Sequence, residues 1–187
     1  QTHTASVRIV TEADEGHGIS RPKSFFDVDG QVTDVPGLPL ITYHADCVPL
    51  FFVDPVKKAI GLTHSGWRGT AARIGRNTVD TMQKAYGSRP EDIIAVIGPS
   101  VCQNCYEVSE DVARAFMEGF RISDRLVYAK GGGKYQLNLW EANRQIMVDA
   151  GIKPEHITVT AWCTACHPDL LLSLIHISEP TRHLRIS

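Results

Sequence analysis

The sequence has few aromatic residues, no excess of charge of one sign and no long hydrophobic run. Aromatic residues make up 7% of the 187 residues, and 19 Lys and Arg face 21 Asp and Glu, which gives a formal net charge of −2. Such a chain lacks the basic field that attracts phosphate backbones, so we expect no nucleic-acid partner. Hydrophobic residues make up 43% of the sequence, which excludes a disordered protein and predicts one domain with a sizeable core.

The longest apolar stretches are too short or too interrupted to cross a bilayer. They cover residues 41–53 and 170–174, and the first is broken by His, Asp and Pro. The five Cys are an odd number, and no positively charged and then apolar segment follows Gln1. We therefore expect no membrane segment and a location in the reducing cytoplasm.

The apolar patterning predicts short strands and helices joined by loops that contain many of the 15 Gly and 10 Pro. Strands are expected near residues 6–10, 50–53, 59–63, 93–97 and 157–161, and helices over 70–86, 109–116 and 138–151. Gly87 is expected to end the first helix, and Asn138 with Glu141 resembles a capping box at the start of the last. Residues 12–30 have the composition of a long loop, and residues 131–133 that of a turn.

The segment from Leu174 to Ser187 continues neither a helical nor a strand pattern. It resembles translated cloning-vector sequence joined to a truncated insert. We therefore expect residues 1–173 to form the catalytic domain and residues 174–187 to be a foreign tail, and we assign no function to His176 or His183.

Three short stretches bring His or Cys next to Gly or Asp in loops or at strand ends. They are Gln1-Thr2-His3, His44-Ala45-Asp46-Cys47 and His64-Ser65-Gly66-Trp67-Arg68-Gly69. Each stretch alone is a weak signal, because a single Cys or His is most often an ordinary core or polar residue. Together, three nitrogen and sulfur ligands would form a tetrahedral site with one open position, as a catalytic zinc requires.

The stretch from Gly66 to Gly69 precedes the strongest predicted helix. Its backbone N–H groups and the guanidinium of Arg68 could converge on a phosphate or carboxylate. An equally weighted alternative is that Trp67 packs in the core and that Arg68 pairs with a local carboxylate. Asp46 could orient a ligand or act as a base, and Glu107 could cap a helix.

Two Cys-x-x-Cys pairs, Cys102/Cys105 and Cys163/Cys166, have the spacing of a four-sulfur zinc site or of redox dithiols. The separation between the pairs is longer than in a compact zinc ribbon. Separate thiols in loops are therefore the favoured interpretation from sequence, with a shared structural metal as the alternative.

Several motifs, read in order, resemble one family, the bacterial polyphenol oxidase or laccase-domain family. Its members are also described as purine nucleoside phosphorylases with adenosine deaminase activity. The resemblance covers residues 1 to about 173, and the 17 positions from Cys47 to His64 join its two most specific motifs. The motifs are Gln1-Thr2-His3, Asp29-Gly30-Gln31-Val32-Thr33, Pro36-Gly37-Leu38, Ala45-Asp46-Cys47-Val48-Pro49, His64-Ser65-Gly66-Trp67-Arg68-Gly69, Gly98-Pro99-Ser100 and Cys105-Tyr106-Glu107-Val108.

The resemblance implies an α+β fold, with mixed β-sheets surrounded by helices, and a catalytic metal bound by His3, Cys47 and His64. The implied metal is zinc, with copper as the alternative. The implied reactions are phosphorolysis of adenosine, inosine, guanosine or methylthioadenosine and deamination of adenosine, so the partners are purine nucleosides and phosphate. Arg68 is our candidate to bind phosphate, and Asp46 our candidate to support the ligands and substrate.

Two other functions stay open. The family has been named for copper-dependent oxidation of phenols, and His with Cys also suits copper. A full laccase needs more His than the six outside the tail, which are His3, His17, His44, His64, His156 and His167. In the other interpretation Cys47 is a nucleophile with His64 as its base, as in cysteine hydrolases.

The sequence departs from the family at both ends. Family members have a strand-rich segment before the Gln-x-His motif and a closing region with Ser-Tyr-Arg-Arg and Thr-Gly-Arg-Met, neither of which is present here. Missing terminal strands would expose a sheet edge, so we expect lower stability or a homo-oligomer.

Overall fold

A six-stranded mixed sheet and a three-stranded antiparallel sheet form the framework of the protein. The computed structural model describes residues 2–175. The strands of the two sheets are β1 (Val7–Ile9), β2 (Gly30–Thr33), β3 (Val48–Asp54), β4 (Ala59–Ser65), β5 (Ile94–Ile97), β6 (Glu107–Ser109), β7 (Val127–Gly131), β8 (Lys134–Leu137) and β9 (Ile157–Val159). The α-helices are α1 (Trp67–Ala71), α2 (Ile74–Tyr86), α3 (Glu110–Gly119), α4 (Ser123–Leu126) and α5 (Leu139–Asp149). One hydrophobic core joins sheets and helices, which confirms the predicted single α+β domain.

The large sheet has the strand order β1-β2-β4-β3-β5-β9. Strands β1 and β2 are parallel, as are β5 and β9, whereas the three pairs between them are antiparallel. The loops that follow β5 and β9 therefore leave the sheet at the same edge, and the start of β3 lies beside the end of β4. These two places hold the cysteine and histidine clusters described below.

Strands β3 and β4 form the central hairpin of the large sheet. Asp54 closes its turn, because Oδ1 accepts hydrogen bonds from the backbone N–H groups of Val56 and Lys57, both at 2.9 Å. Along β3 the side chains alternate: Leu50 and Phe52 are buried, whereas Phe51 and Val53 point outwards. One face of the sheet therefore packs on the core.

A buried polar network joins the end of β4 to two helices. The hydroxyl of Ser65 lies 2.9 Å from both Thr70 Oγ1 in α1 and Asn143 Oδ1 in α5. Asn143 also donates a hydrogen bond to the carbonyl of Leu139 at 2.9 Å. Because buried hydroxyl and amide groups need partners, the network fixes the backbone that follows His64.

The helix predicted over residues 70–86 is in fact two helices. Arg73 has a left-handed backbone with φ of 58°, which ends α1 and starts α2. Its guanidinium donates to the carbonyl of Gly119 at 2.7 Å, a contact with α3 that no local pattern indicates. Gly87 ends α2 as predicted, since its φ is 68°. At the start of α5, the backbone N–H of Glu141 donates a hydrogen bond to Asn138 Oδ1, so Asn138 caps this helix as predicted.

The five predicted strands are present as β1, β3, β4, β5 and β9, whereas the small sheet was not predicted. Its strands β6, β7 and β8 are short, and most of their residues are polar or exposed, so they lack a clear hydrophobic alternation. The predicted turn over residues 131–133 joins β7 to β8. The prediction that Glu107 caps a helix is wrong: it lies in β6 and pairs with Lys130 at 2.7 Å, and Ser109 occupies the N-cap of α3.

Leu174 and Ile175 are the only residues of the predicted tail within the described part of the chain. The backbone N–H of Leu174 donates to Asp46 Oδ2 at 2.7 Å. Residues 176–187, with His176 and His183, lie outside the described residues, as does Gln1.

Among residues 2–175, no helix has the length and apolar character needed to cross a membrane. The homo-oligomer stays a prediction.

Candidate metal centre

The structure brings His3, Cys47 and His64 together. His64 lies near the end of β4, Cys47 directly precedes β3, and His3 lies in a bend in the segment before β1. Because Pro49 of β3 pairs with His64 across the hairpin, the residue before β3 comes close to His64. One nitrogen or sulfur atom from each of the three side chains lies within 4.8 Å of the others. The grouping has the donor types of a zinc site.

A buried carboxylate, Asp29, joins both histidine-bearing segments. Its Oδ1 lies 3.1 Å from His64 Nδ1, and its Oδ2 accepts hydrogen bonds from the Thr4 N–H at 2.7 Å and the Thr4 hydroxyl at 3.0 Å. The N–H of Thr2 is 3.2 Å from both carboxylate oxygens. The residues on both sides of His3 are therefore held by the carboxylate that orients His64.

The contact with Asp29 also fixes the proton of His64. An ionised carboxylate only accepts hydrogen bonds, so Nδ1 of His64 carries the proton and Nε2 keeps a free lone pair. Carboxylate–histidine pairs of this kind orient metal-binding imidazoles. Sequence reasoning gave Asp29 no role. The available signal was its place in the Asp-Gly-Gln-Val-Thr motif.

The charge of Asp29 is stabilised by these contacts. Burial alone would raise its pKa, but the hydrogen bonds from Thr4 and Thr2 and the attraction of His64 outweigh burial and lower the pKa from 3.8 to about 2. Burial lowers the pKa of His64, against the opposing effect of Asp29, which favours the neutral imidazole that a metal requires.

The thiol of Cys47 is protonated when no cation is nearby. Burial, reinforced by the negative charges of Asp46 and Asp29, raises its pKa from 9.0 to about 11. A free thiolate nucleophile needs the opposite environment, with a lowered pKa. The donor set instead suits a metal cation, which replaces the thiol proton when it binds.

Gly66 leaves space beside two of the three donors. A Cβ at this position would lie 2.9 Å from His3 Cδ2 and 3.1 Å from Cys47 Sγ. The φ of Gly66 is −71°, a value open to any residue, so the backbone does not require glycine. The missing side chain keeps the donors accessible, and the residues present fit a bound metal.

His44 lies against the cluster without offering a free nitrogen. Its Nε2 is 2.8 Å from Thr42 Oγ1, its Nδ1 is 3.3 Å from the Cys47 carbonyl, and its ring centroid is 5.1 Å from that of His64. Burial and the neighbouring His64 lower its pKa to about 4. A neutral His44 therefore supports the backbone of Cys47.

Arg68 lies in α1, next to the site, with an exposed side chain. Its guanidinium stacks over the half-buried indole of Trp67, 4.4 Å from the ring centroid. Among residues 2–175 it forms no ion pair, so the alternative in which it pairs with a local carboxylate is not observed. Burial, together with the neighbouring Cys47 and Asp46, raises the pKa of Tyr106 to about 12. The positive charge of Arg68 opposes this rise. Tyr106 is a site neighbour that the sequence did not identify.

The carboxylate of Asp46 ties neighbouring loops together. Asp46 has a left-handed φ of 74°; its Oδ1 accepts from the Thr164 hydroxyl at 2.6 Å and its Oδ2 from the Leu174 N–H at 2.7 Å. Its carbonyl accepts from the Val101 N–H at 3.0 Å. The carboxylate that orients a candidate ligand is thus Asp29, and a direct part for Asp46 in binding or catalysis stays a prediction.

Two further features lie near this centre. A cavity of about 660 Å³, with Asp29 and Thr42 in its wall, lies between the loop of residues 12–25 and residues 38–43. This volume is in the range of small-molecule sites.

The two Cys-x-x-Cys pairs form one cluster, because β5 and β9 are parallel neighbours. The favoured prediction of separate thiols is therefore wrong.

We expect Asp29→Asn to lower the free energy of unfolding of the chelator-treated protein by about 2–3 kcal/mol at pH 7, because it removes a buried, hydrogen-bonded charge. Since the pKa of Asp29 is lowered on folding, from 3.8 to about 2, its contribution is complete above about pH 4 and is lost as the pH falls through 2. Urea unfolding at pH 7 and pH 3 should show the difference from wild type shrinking at pH 3. The control Asp169→Asn, at an exposed residue outside the ion pairs of the described chain, should change the free energy of unfolding little. An Asp29→Asn effect equally small would contradict the assignment.

Comparison with known proteins gives related sequences with named activities. The chain is 40% identical over 174 residues to a Bacillus subtilis protein named purine nucleoside phosphorylase YlmD. The matched region covers 92% of this chain and 63% of that protein. It is 34% identical over 168 residues to a protein named adenosine deaminase RL5, from an unknown prokaryotic organism. This match covers 89% of this chain and 64% of that protein. The chain thus spans less than two thirds of the length of these relatives.

Solved structures share the fold. The structure of the Bacillus licheniformis hypothetical protein YfiH matches with a TM-score of 0.85 and 38% identity, over 92% of this chain and 66% of that one. YlmD from Geobacillus stearothermophilus matches with a TM-score of 0.85 and 36% identity, over 92% and 65%. Residues 1–180 match the model of the family described as multi-copper polyphenol oxidoreductase laccase, and the chain belongs to that family.

Proposed function

We propose that this chain carries the catalytic site of a zinc-dependent purine nucleoside phosphorylase that also deaminates adenosine. The observation that carries the proposal is the grouping of His3, Cys47 and His64 within 4.8 Å, with Asp29 orienting two of the three segments. The names of the relatives support the substrate class. We expect adenosine, inosine, guanosine and methylthioadenosine as substrates with phosphate.

Two imidazoles and one thiolate would hold zinc and leave one position open. A zinc ion held by His3, Cys47 and His64 would supply Lewis acidity and would make water reactive at neutral pH. The protein contributes the neutral Nε2 of His64, kept free by the bond from Nδ1 to Asp29, and the space beside Gly66. A cavity of about 660 Å³ has the volume of a small-molecule site, and its wall includes Asp29 but none of the three candidate ligands.

The two reactions need different second substrates in the same site. In phosphorolysis a phosphate oxygen bonds to C1′ of the ribose while the bond from C1′ to the purine breaks, and the purine takes the electron pair and a proton. In deamination water adds to C6 of adenine and ammonia leaves. Arg68 is suited to phosphorolysis, because its exposed guanidinium lies beside the site without a carboxylate partner in the described part of the chain.

Copper-dependent oxidation of phenols is the second candidate, favoured by the donor types, since two His and one Cys also bind copper. A multicopper enzyme needs a further histidine cluster. Within residues 2–175 the groupings of metal-binding side chains are this one and a group of four Cys. The described residues therefore support nucleoside chemistry better than laccase chemistry.

Replacing Arg68 should separate the two nucleoside reactions. Arg68→Ala is expected to raise the KM for phosphate at least about tenfold, since a charge-assisted contact contributes about 1.5–3 kcal/mol, while deamination of adenosine changes little. Adenine and inosine release, measured by chromatography, report the two reactions. Arg114→Ala is the matched control, because Arg114 is exposed on α3 and pairs with Glu110. A parallel loss of both reactions in Arg68→Ala alone would contradict a role in phosphate binding.

Removing the thiol tests the proposed function itself. Cys47→Ala should lose about one zinc per chain and reduce both adenosine phosphorolysis and deamination by at least about a hundredfold, because one of three ligands is absent. Elemental analysis and the nucleoside assays are compared with circular dichroism, which checks the fold. Full turnover by a folded Cys47→Ala protein would show that the proposed metal mechanism is wrong. Phenol oxidation with added copper, in wild type only, would favour the second candidate.

A further inference from the structure

Four cysteines that the proposed activity does not use form a second cluster. Cys102 and Cys105 lie in the loop after β5, and Cys163 and Cys166 in the loop after β9. The parallel pairing of β5 with β9 extends to an isolated bridge between Ser100 and Cys163. The two Cys-x-x-Cys segments therefore meet at one edge of the large sheet, although 61 residues separate Cys105 from Cys166.

The sulfur positions match a tetrahedral metal site. All four Sγ atoms lie within 4.8 Å of one another, and Cys105 Sγ is 3.6 Å from Cys166 Sγ. Bonds of about 2.3 Å from zinc to each sulfur place the sulfurs about 3.8 Å apart at the corners of a tetrahedron. A disulfide requires about 2.05 Å between its sulfurs, well below the observed separation. Small side-chain adjustments would therefore complete a four-thiolate site.

The ligand set of the cluster is that of a structural site. Cys163 is buried, Cys102 and Cys105 are half-buried, and Cys166 is exposed. The Sγ of Cys163 accepts a hydrogen bond from the backbone N–H of Cys102 at 3.3 Å. Such bonds stabilise a thiolate that serves as a ligand. Four cysteines occupy all four positions of a tetrahedral ion, so no position is left for substrate or water.

We propose that Cys102, Cys105, Cys163 and Cys166 bind a structural zinc ion that joins the loops after β5 and β9. On binding, the four thiols release their protons and four sulfur–zinc bonds form, without oxidation or reduction. This site is separate from the candidate catalytic metal and does not depend on the proposed nucleoside activity.

The proposed ion would act on the first site through Asp46. Val101, next to Cys102, donates its N–H to the Asp46 carbonyl at 3.0 Å, and Thr164, next to Cys163, donates its hydroxyl to Asp46 Oδ1 at 2.6 Å. Asp46 directly precedes Cys47. A zinc ion that holds the two cysteine loops together therefore holds both supports of the segment that carries the Cys47 thiol.

The test counts metal in variants of each cluster. The protein is produced with zinc in the medium, purified without chelator and analysed for zinc per chain by elemental analysis. We expect about two zinc ions in wild type, about one in Cys47→Ala and about one in the double variant Cys105→Ser/Cys166→Ser, since each change should empty one site. Cys47→Ala combined with the double variant should hold none. Undiminished zinc in the double variant would overturn the proposal.

A second measurement does not depend on the folding of the double variant. X-ray absorption at the zinc edge of Cys47→Ala reports the remaining ion, which should show sulfur neighbours only, at about 2.3 Å. Nitrogen or oxygen neighbours would overturn the four-cysteine assignment. Mass spectrometry of freshly purified wild type should find these four cysteines as thiols, and a disulfide among them with no zinc bound would likewise overturn it.

Discussion

The buried carboxylate of Asp29 is the constraint on which the candidate metal centre depends. A buried charge is costly unless hydrogen bonds compensate it, and Asp29 obtains these from Thr2, Thr4 and His64. Its backbone carbonyl also accepts from the His64 N–H at 2.7 Å. The same residue thus fixes His64 through main chain and side chain and holds the segment in which His3 has a left-handed φ of 60°. This carboxylate therefore joins the two segments that carry the candidate imidazole ligands.

The order of the strands determines where chemistry can occur in this fold. The antiparallel hairpin of β3 and β4 brings Cys47 beside His64, and the parallel pair β5 and β9 brings two cysteine loops together. Asp46 connects the two places, since it precedes Cys47 and accepts from Val101 and Thr164. A catalytic ion and a structural ion would therefore lie on either side of one short segment, each limiting its movement.

Much of this arrangement follows from the sequence, but contacts between distant segments do not. Five strands of the large sheet are marked by apolar runs, and the three candidate ligands are marked by motifs, and both are local signals. The five strands are β1, β3, β4, β5 and β9. The role of Asp29 depends on where β2 lies relative to β4, and an acidic residue at the end of a polar loop gives no sign of this. The break at Arg73 involves a contact with Gly119, and the cysteine cluster requires that β5 and β9 be parallel neighbours. Pairings of this kind are set by the whole fold.

The most direct test of the proposed metal site is release of adenine from adenosine by protein stripped of metal and then reloaded. Adenine should appear only when zinc and phosphate are both present, and the zinc-loaded protein should form inosine when phosphate is absent. Zinc-loaded protein that left adenosine unchanged under both conditions, while copper-loaded protein oxidised phenols, would contradict the proposal.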